Sequence, residues 1–234
     1  MIEDIFKSGR LELPTVPVDS GSLPLWGDLL ANRILVGVAV FLFLISLPDL
    51  VRLFPLLLDC YSRVKGNNDL EHSLSTARDR TGCALALAIP FCLMADRYQM
   101  YRPAFWQHIP DAWSAPATIG VLLAFVIVRG IFFLFFKPKG RQEQTETVHH
   151  VAFNYFILLT ILMLLTVGIF ALFKIDSAAC GKVLLWETAV VYVLSFSRTG
   201  QILGQFCYGF STFLYLCALE VIPVAILVAS AVLL

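Results

Sequence analysis

Residues 151–173 form an apolar stretch of 23 residues without a formally charged side chain. About 20 apolar residues, each rising about 1.5 Å along a helix, cross a hydrocarbon core of about 30 Å. This stretch is therefore predicted to be a transmembrane helix. The whole chain agrees, because 59% of its residues are hydrophobic, 15% are charged and its mean hydropathy is +0.80, whereas soluble domains are about 25% charged.

The same length criterion predicts an all-α integral membrane protein, a bundle of about six transmembrane helices with five as the alternative. The predicted spans are residues 29–47, 81–95, 115–136, 151–173, 183–197 and 206–230. Residues 81–95 leave the number open, because this run is short and contains Pro90, which favours a kinked or re-entrant segment. The spans form one domain, residues 29–234, after an extended polar tail of residues 1–28 that lacks the pattern of a secretory signal.

Residues 50–66 follow the first span and mix apolar side chains with Arg52, Asp59, Arg63 and Lys65. This mixture predicts an amphipathic helix lying along the membrane interface. A kinked continuation of the first helix explains the pattern equally well. Both alternatives stay open at the level of the sequence.

Aromatic residues crowd the connection between the second and third predicted spans, residues 98–114. They are Tyr98, Tyr101, Phe105, Trp106 and Trp113. Because Trp and Tyr concentrate at the boundary between membrane and water, this connection is predicted to lie at an interface.

The placement of Lys and Arg predicts the orientation. With six spans, the tail and the second and fourth loops share a side that carries seven Lys and Arg, and the opposite side carries ten, including Lys137, Lys139 and Arg141. Since cytoplasmic loops are enriched in Lys and Arg, both termini are predicted to lie outside the cytoplasm.

Three charged residues inside or beside the spans have simple explanations. An ionisable group costs at least about 2.5–3.5 kcal/mol at the centre of a spanning helix. Arg129 lies seven residues from Phe136, so snorkelling toward the basic loop accounts for it. Glu187 lies near the opposite interface, where hydration suffices. Arg198 follows it by eleven residues on nearly the same helix face, but about 16 Å away, so the two cannot pair directly.

Glu220 is the charged residue that is hardest to explain, because it lies deep within an apolar span. Fourteen apolar or uncharged residues lie on either side of it, so it is predicted to be protonated or partnered. Pro223 leaves the carbonyl of Leu219 without its helical donor. One interpretation is a buried hydrogen bond that fixes the packing of the last helix. The other is a proton or ion relay with Arg129 or Arg198 as charge partner.

Catalytic and ligand-binding motifs are absent from the sequence. There is no G-x-S-x-G, H-E-x-x-H or P-loop pattern, and the six cysteines form no C-x-x-C pair. His149 and His150 are adjacent and would point to different faces of a helix. The sequence predicts no enzyme activity, no cofactor and no metal site, and the zero net charge favours no nucleic acid.

Four segments, FLYLCALEVIP, EHSLSTARDR, IPFCLMADRY and FNYFILLTILML, resemble an uncharacterised family of bacterial multi-pass membrane proteins. Its members end in L-Y-L-C-x-L-E-[IV]-[IL]-P. The matching residues here are Leu214, Tyr215, Leu216, Cys217, Leu219, Glu220, Val221, Ile222 and Pro223. The resemblance covers residues from about 50 to the end, implies a Gram-negative inner membrane and assigns no activity.

These observations predict a structural or scaffold subunit of a membrane complex. Its expected partners are the lipid bilayer and a second protein, or further copies of this chain, bound through helix faces. The alternative is a small proton-coupled transporter that uses Glu220. An intramembrane enzyme would require a pair of acids or histidines facing one cavity.

Overall fold

The computed structural model describes residues 26–62, 74–101, 103, 106, 108–136, 142–206 and 209–233, and within them all regular structure is helical. The long helices are α1 (Leu30–Ser62), α2 (Leu74–Arg97), α3 (Ser114–Phe136), α4 (Gln142–Leu172) and α5 (Ser177–Phe206). The C-terminal helix combines α6 (Gly209–Leu216), a π-helical segment (Cys217–Val221) and α7 (Ile222–Leu233). The prediction of an all-α membrane bundle is confirmed.

Five helical stretches in the described part of the chain are long and apolar enough to cross a membrane. They are Leu30–Cys60, Asp111–Phe135, His150–Leu172, Ser177–Gln205 and Thr212–Ala231. They correspond to five of the six predicted spans. The sixth, residues 81–95, lies within α2, which does not meet this criterion of length and composition.

Helix α2 nevertheless runs the length of the bundle and packs against α1, α3 and α4. At its end, Asp96 accepts hydrogen bonds from Trp26, just before α1, and from Ser114, the first residue of α3. Its 24 residues rise about 36 Å, enough to cross. Contact with three neighbouring helices explains how α2 tolerates a shorter apolar stretch than a helix surrounded by lipid.

These contacts also show which helix ends lie together. Trp26, Asp96 and Ser114 bring together the start of α1, the end of α2 and the start of α3. The hydroxyls of Tyr101 and Ser230 are 2.7 Å apart, so α7 finishes at the same end of the bundle. We call this end of the molecule the first end.

Residues 50–62 correct one prediction, because they continue α1 as a single helix of 33 residues that contains Pro48 and Pro55. The predicted separate interfacial helix is wrong, and the continuation is confirmed. Apolar residues three or four positions apart explain this, since they form a stripe that packs into the bundle. The stripe and its partners on α2 and α4 are Leu50, Leu53, Leu57, Cys60, Cys83, Ala84, Leu87 and Ile157.

Helices α4 and α5 also extend beyond the predicted spans. Helix α4 begins at Gln142 instead of residue 151, and α5 covers Ser177–Phe206 instead of 183–197. The reason is that the apolar stretch marks the part suited to lipid, while polar residues continue the same helix. Residues 26–28 of the predicted tail form a short 3₁₀ turn, and residues 1–25 lie outside the described residues.

Candidate functional site

A charged pair joins α3 to the C-terminal helix. The Arg129 guanidinium donates a hydrogen bond from Nη2 to Oε1 of Glu220, at 2.6 Å. The two side chains are only 14% and 7% exposed. We call this arrangement the bilayer pair.

The bilayer pair lies well inside the spanning part of α3. Arg129 follows Ser114 by 15 residues and precedes Phe136 by seven, which places it about 22 Å from the start of α3 and about 10 Å from its end. The expectation that Arg129 snorkels to the basic loop is wrong. A buried carboxylate on the neighbouring helix holds its guanidinium instead.

The π-helical segment, Cys217–Val221, carries the acid of this pair. Just after this segment the Ile222 N–H donates to the carbonyl of Cys217, which is five residues earlier in the chain, one more than in an α-helix. Pro223 supplies no N–H, so the α-helical pattern cannot continue through it unchanged. The wider turn shifts the hydrogen-bond register by one residue just before the proline, and such π-bulges occur frequently at functional sites.

Tyr192 of α5 completes the site. Its hydroxyl donates to the main-chain carbonyl of Glu220 at 3.1 Å. Three helical units therefore meet at Glu220. Helix α3 contacts its carboxylate, α5 contacts its main-chain carbonyl, and the π segment carries the residue itself. The neighbouring residues Ala218 and Leu219 in the same turn are also buried.

The pair provides charge compensation and a mechanical link between helices. Removing one partner from a buried ion pair typically costs about 3–5 kcal/mol, because it leaves the other charge uncompensated. Helix α3 also packs against α2, although only 6% of its most apolar window is buried inside the bundle. The pair adds a charged link to the contacts that attach α3 to the C-terminal helix.

The other two predicted site residues lie elsewhere. Glu187 accepts a hydrogen bond from Thr166 and so links α5 to α4. Arg198 donates from Nη1 to Oε1 of Gln201 at 3.0 Å, on the exposed surface of α5. The structure thus brings together Glu220, Pro223 and Arg129 and separates Glu187 and Arg198 from them.

Tyr192 and Thr166 are the contributors that the sequence analysis missed. Each is a polar side chain in the middle of an apolar stretch, and a buried tyrosine hydroxyl usually requires a hydrogen-bond partner. That rule could have marked Tyr192 as a candidate. It could not have identified the partner, because the bond joins positions 28 residues apart.

A second polar cluster lies at the first end of the bundle. The Asp96 carboxylate accepts from Trp26 Nε1 and from Ser114 Oγ, each at 2.7 Å. The Arg97 guanidinium lies 5.3 Å from the centre of the Trp26 ring, within range of a cation–π contact. We call Trp26, Asp96, Arg97 and Ser114 the interface cluster, and it joins α1, α2 and α3.

Within the described residues, no group of three or more His, Cys, Asp or Glu side chains is arranged to hold a metal ion. Comparisons with known proteins add no assignment, since no family model, no curated protein and no solved structure matches this chain.

Proposed function

We propose that this protein is a structural subunit of a membrane complex and that it is not an enzyme. The observation that carries the proposal is the 2.6 Å contact between Arg129 and Glu220. Both charges of the pair are used in a contact between two helices, and Tyr192 holds the backbone of the same turn. This arrangement suits a permanent link between α3 and the C-terminal helix, which we call the clamp. The clamp would fix the outer surface of the bundle.

The surface of α3 that faces away from the bundle is apolar. On α3 the exposed residues include Leu123, Val126, Ile127 and Leu134, at 48–74%. Such a face contacts lipid, another protein or a second copy of this chain. Fixing α3 through Arg129 would give this face one orientation, as a scaffold requires.

A double-mutant cycle tests the clamp. We expect Arg129→Gln and Glu220→Gln each to lower the free energy of unfolding by about 3 kcal/mol, because each leaves one buried charge without its partner. The double variant should lose much less than the sum, since neither charge remains. The measurement is unfolding in mixed detergent micelles with increasing sodium dodecyl sulfate.

Gln201→Ala, which removes the exposed partner of Arg198, is the matched control and should change stability by less than about 0.5 kcal/mol. Additive losses in the Arg129 and Glu220 cycle would contradict the clamp. So would single-variant losses no larger than that of Gln201→Ala.

The subunit role needs a measurement of assembly. The purified protein in mild detergent should migrate in native mass spectrometry as a multiple of its 26.1 kDa mass or with a second protein in a fixed ratio. Leu123→Trp, on the exposed face of α3, should weaken that assembly without changing the stability of the monomer. A monomer that binds nothing when extracted from its native membrane would contradict the proposal.

A proton-coupled carrier remains the second candidate because of one observation, the π-helical segment that holds Glu220. Such a turn could change register and release the carboxylate from Arg129. If it does, liposomes containing the wild-type protein and a pH-sensitive dye should conduct protons faster than liposomes containing Glu220→Gln. Equal rates, with both variants correctly inserted, would leave only the structural role.

We also infer a location in the inner membrane of a Gram-negative bacterium, with both termini on the periplasmic side. The support is the resemblance of the segment around Glu220 and the excess of Lys and Arg in the loops opposite the termini. A C-terminal alkaline phosphatase fusion should be active in this orientation. A fluorescent C-terminal green fluorescent protein fusion would indicate the reverse.

A further inference from the structure

A cavity of about 300 Å³ lies beside the interface cluster, between the end of α2 and the start of α3. Its lining includes Trp26, Asp96, Gln99, Tyr101 and Trp106. The neighbouring candidate span begins at Asp111, so we expect the cavity to lie near the lipid headgroups. Its volume is at the lower end of the range of small-ligand sites, about 300–1,000 Å³.

Two aromatic side chains that line this cavity pack edge to face against each other. The ring centres of Tyr101 and Trp106 are 5.4 Å apart, and the planes meet at 79°. Trp106 is only 5% exposed, whereas Tyr101 is half-buried. Aromatic faces arranged around a space of this size attract ammonium groups, including quaternary ones, through the ring quadrupole.

The charges around the cavity also favour a cation. Asp96 and Asp111 contribute two carboxylates to the lining, and Arg97 contributes the one basic side chain among the described lining residues. Asp96 is held in place by its two hydrogen bonds from Trp26 and Ser114. A ligand with a positive group near the carboxylates and a negative group near Arg97 would match this distribution.

The backbone of Gln99 provides an independent observation. Gln99 has a φ of 52°, a left-handed conformation that glycine adopts more easily than any other residue. It occupies the C-terminal turn of α2, where Met100 N–H bonds to Ala95 O at 2.9 Å and Gln99 N–H bonds to Asp96 O at 3.1 Å. This is the Schellman pattern, whose usual residue at that position is glycine. The chain places there a polar side chain that lines the cavity.

We propose that this cavity binds the ammonium group of a zwitterionic phospholipid headgroup. The ammonium group packs against the Tyr101 and Trp106 rings on the side of Asp96, and the phosphate faces Arg97. The amide of Gln99 bonds to the headgroup at the mouth of the site. Bound lipid would then connect the interface cluster to the membrane surface.

The first experiment compares lipid retention by native mass spectrometry. Protein from mixed micelles should retain phosphatidylethanolamine and phosphatidylcholine about tenfold more than phosphatidylglycerol, which has no ammonium group. Tyr101→Phe keeps the ring but loses the contact with the Ser230 hydroxyl, and it should keep the preference. Tyr101→Leu removes the ring and should abolish it. Equal retention of all three lipids by the wild-type protein, or an unchanged preference in Tyr101→Leu, would overturn the proposal.

The second experiment uses the strained position. Gln99→Gly relieves the left-handed backbone, so it should raise the melting temperature by about 2 °C while reducing the lipid preference about fivefold. Lys174→Gly is the matched control, because Lys174 has a φ of 51° in the corresponding turn after α4 and is not among the cavity residues. It should raise the melting temperature and leave the preference unchanged. If both variants leave the preference unchanged, Gln99 has no role in binding and this part of the proposal is wrong.

A final arm separates a lipid from a soluble ligand with the same chemistry. Nanodiscs of phosphatidylglycerol are titrated with free phosphoethanolamine in one series and prepared with increasing fractions of phosphatidylethanolamine in the other, and Trp fluorescence is recorded in both. Saturable binding only with the phospholipid supports a membrane ligand. Saturable binding of free phosphoethanolamine, with no preference among lipids, would overturn the lipid and identify a soluble ligand of the same class.

Discussion

Glu220 and Asp96 are carboxylates that each join helices in this molecule, and their surroundings differ. Glu220 is 6% exposed and is held by the charged Arg129 at lipid depth. Asp96 is half-buried at the first end of the bundle and is held by two neutral donors, an indole and a hydroxyl. The same functional group therefore has a full countercharge in one place and dipolar partners in the other.

The surrounding medium explains the difference. A charge in a low-dielectric region loses its hydration, and an opposite charge close by is required to offset that loss. At the membrane boundary, water reaches the carboxylate and reduces the penalty, so two hydrogen bonds are enough. We therefore expect matched substitutions to have large effects at the bilayer pair and smaller effects at the interface cluster.

The largest contrast should come from removing the two arginines. Arg129→Leu leaves the Glu220 carboxylate without a countercharge and should lower the free energy of unfolding by about 3 kcal/mol or more. Arg97→Leu removes an exposed guanidinium from the face of Trp26 and should cost less than about 1 kcal/mol. Both values are measurable by unfolding in mixed detergent micelles. Losses of similar size would contradict the assignment of the effect to the depth of the charge.

A smaller contrast compares two tyrosine hydroxyls. Tyr192→Phe removes the 3.1 Å bond to the Glu220 carbonyl, a group that lipid cannot satisfy, and should cost about 1 kcal/mol. Tyr101→Phe removes the 2.7 Å contact with Ser230 near the boundary, where water can replace it, so its cost should be below about 0.5 kcal/mol. Thermal unfolding in detergent measures both, and a larger loss in Tyr101→Phe would reverse the expected order.

The sequence was sufficient for the helices but not for the pairing between them. Apolar length located five spans because lipid imposes a minimum length on each helix. It could not choose between Arg129 and Arg198 as the partner of Glu220, since the choice depends on which helix packs against the π segment. Pro223 indicated a missing hydrogen-bond donor. The chain accommodates it with a wider turn at Cys217–Val221, and that turn depends on backbone geometry that a hydropathy pattern does not encode.

Helix α2 shows a second limit of hydropathy. Its predicted span, residues 81–95, is only as long as the shortest of the others, residues 183–197, yet α2 packs against three helices, and Arg80 within it is 1% exposed. By contrast, α3 is strongly apolar and lies at the edge of the bundle, with 6% of its window buried. Hydropathy reports apolar composition and not position in the bundle, since α4 has the highest mean hydropathy of the candidate spans, 2.6, and also the most buried window, at 33%.

The smallest expected effect concerns an ion pair that water surrounds. Arg33 and Asp28 are 2.8 Å apart, close to the 2.6 Å of the bilayer pair, but their side chains are 63% and 52% exposed. Asp28→Asn should change the free energy of unfolding by less than about 0.5 kcal/mol, because hydration competes with the contact. Even that change should shrink between 0.05 and 0.5 M salt, because screening of exposed charges strengthens as the salt concentration rises. A loss comparable to that of Arg129→Leu would mean that distance, and not exposure, sets the strength of ion pairs in this protein.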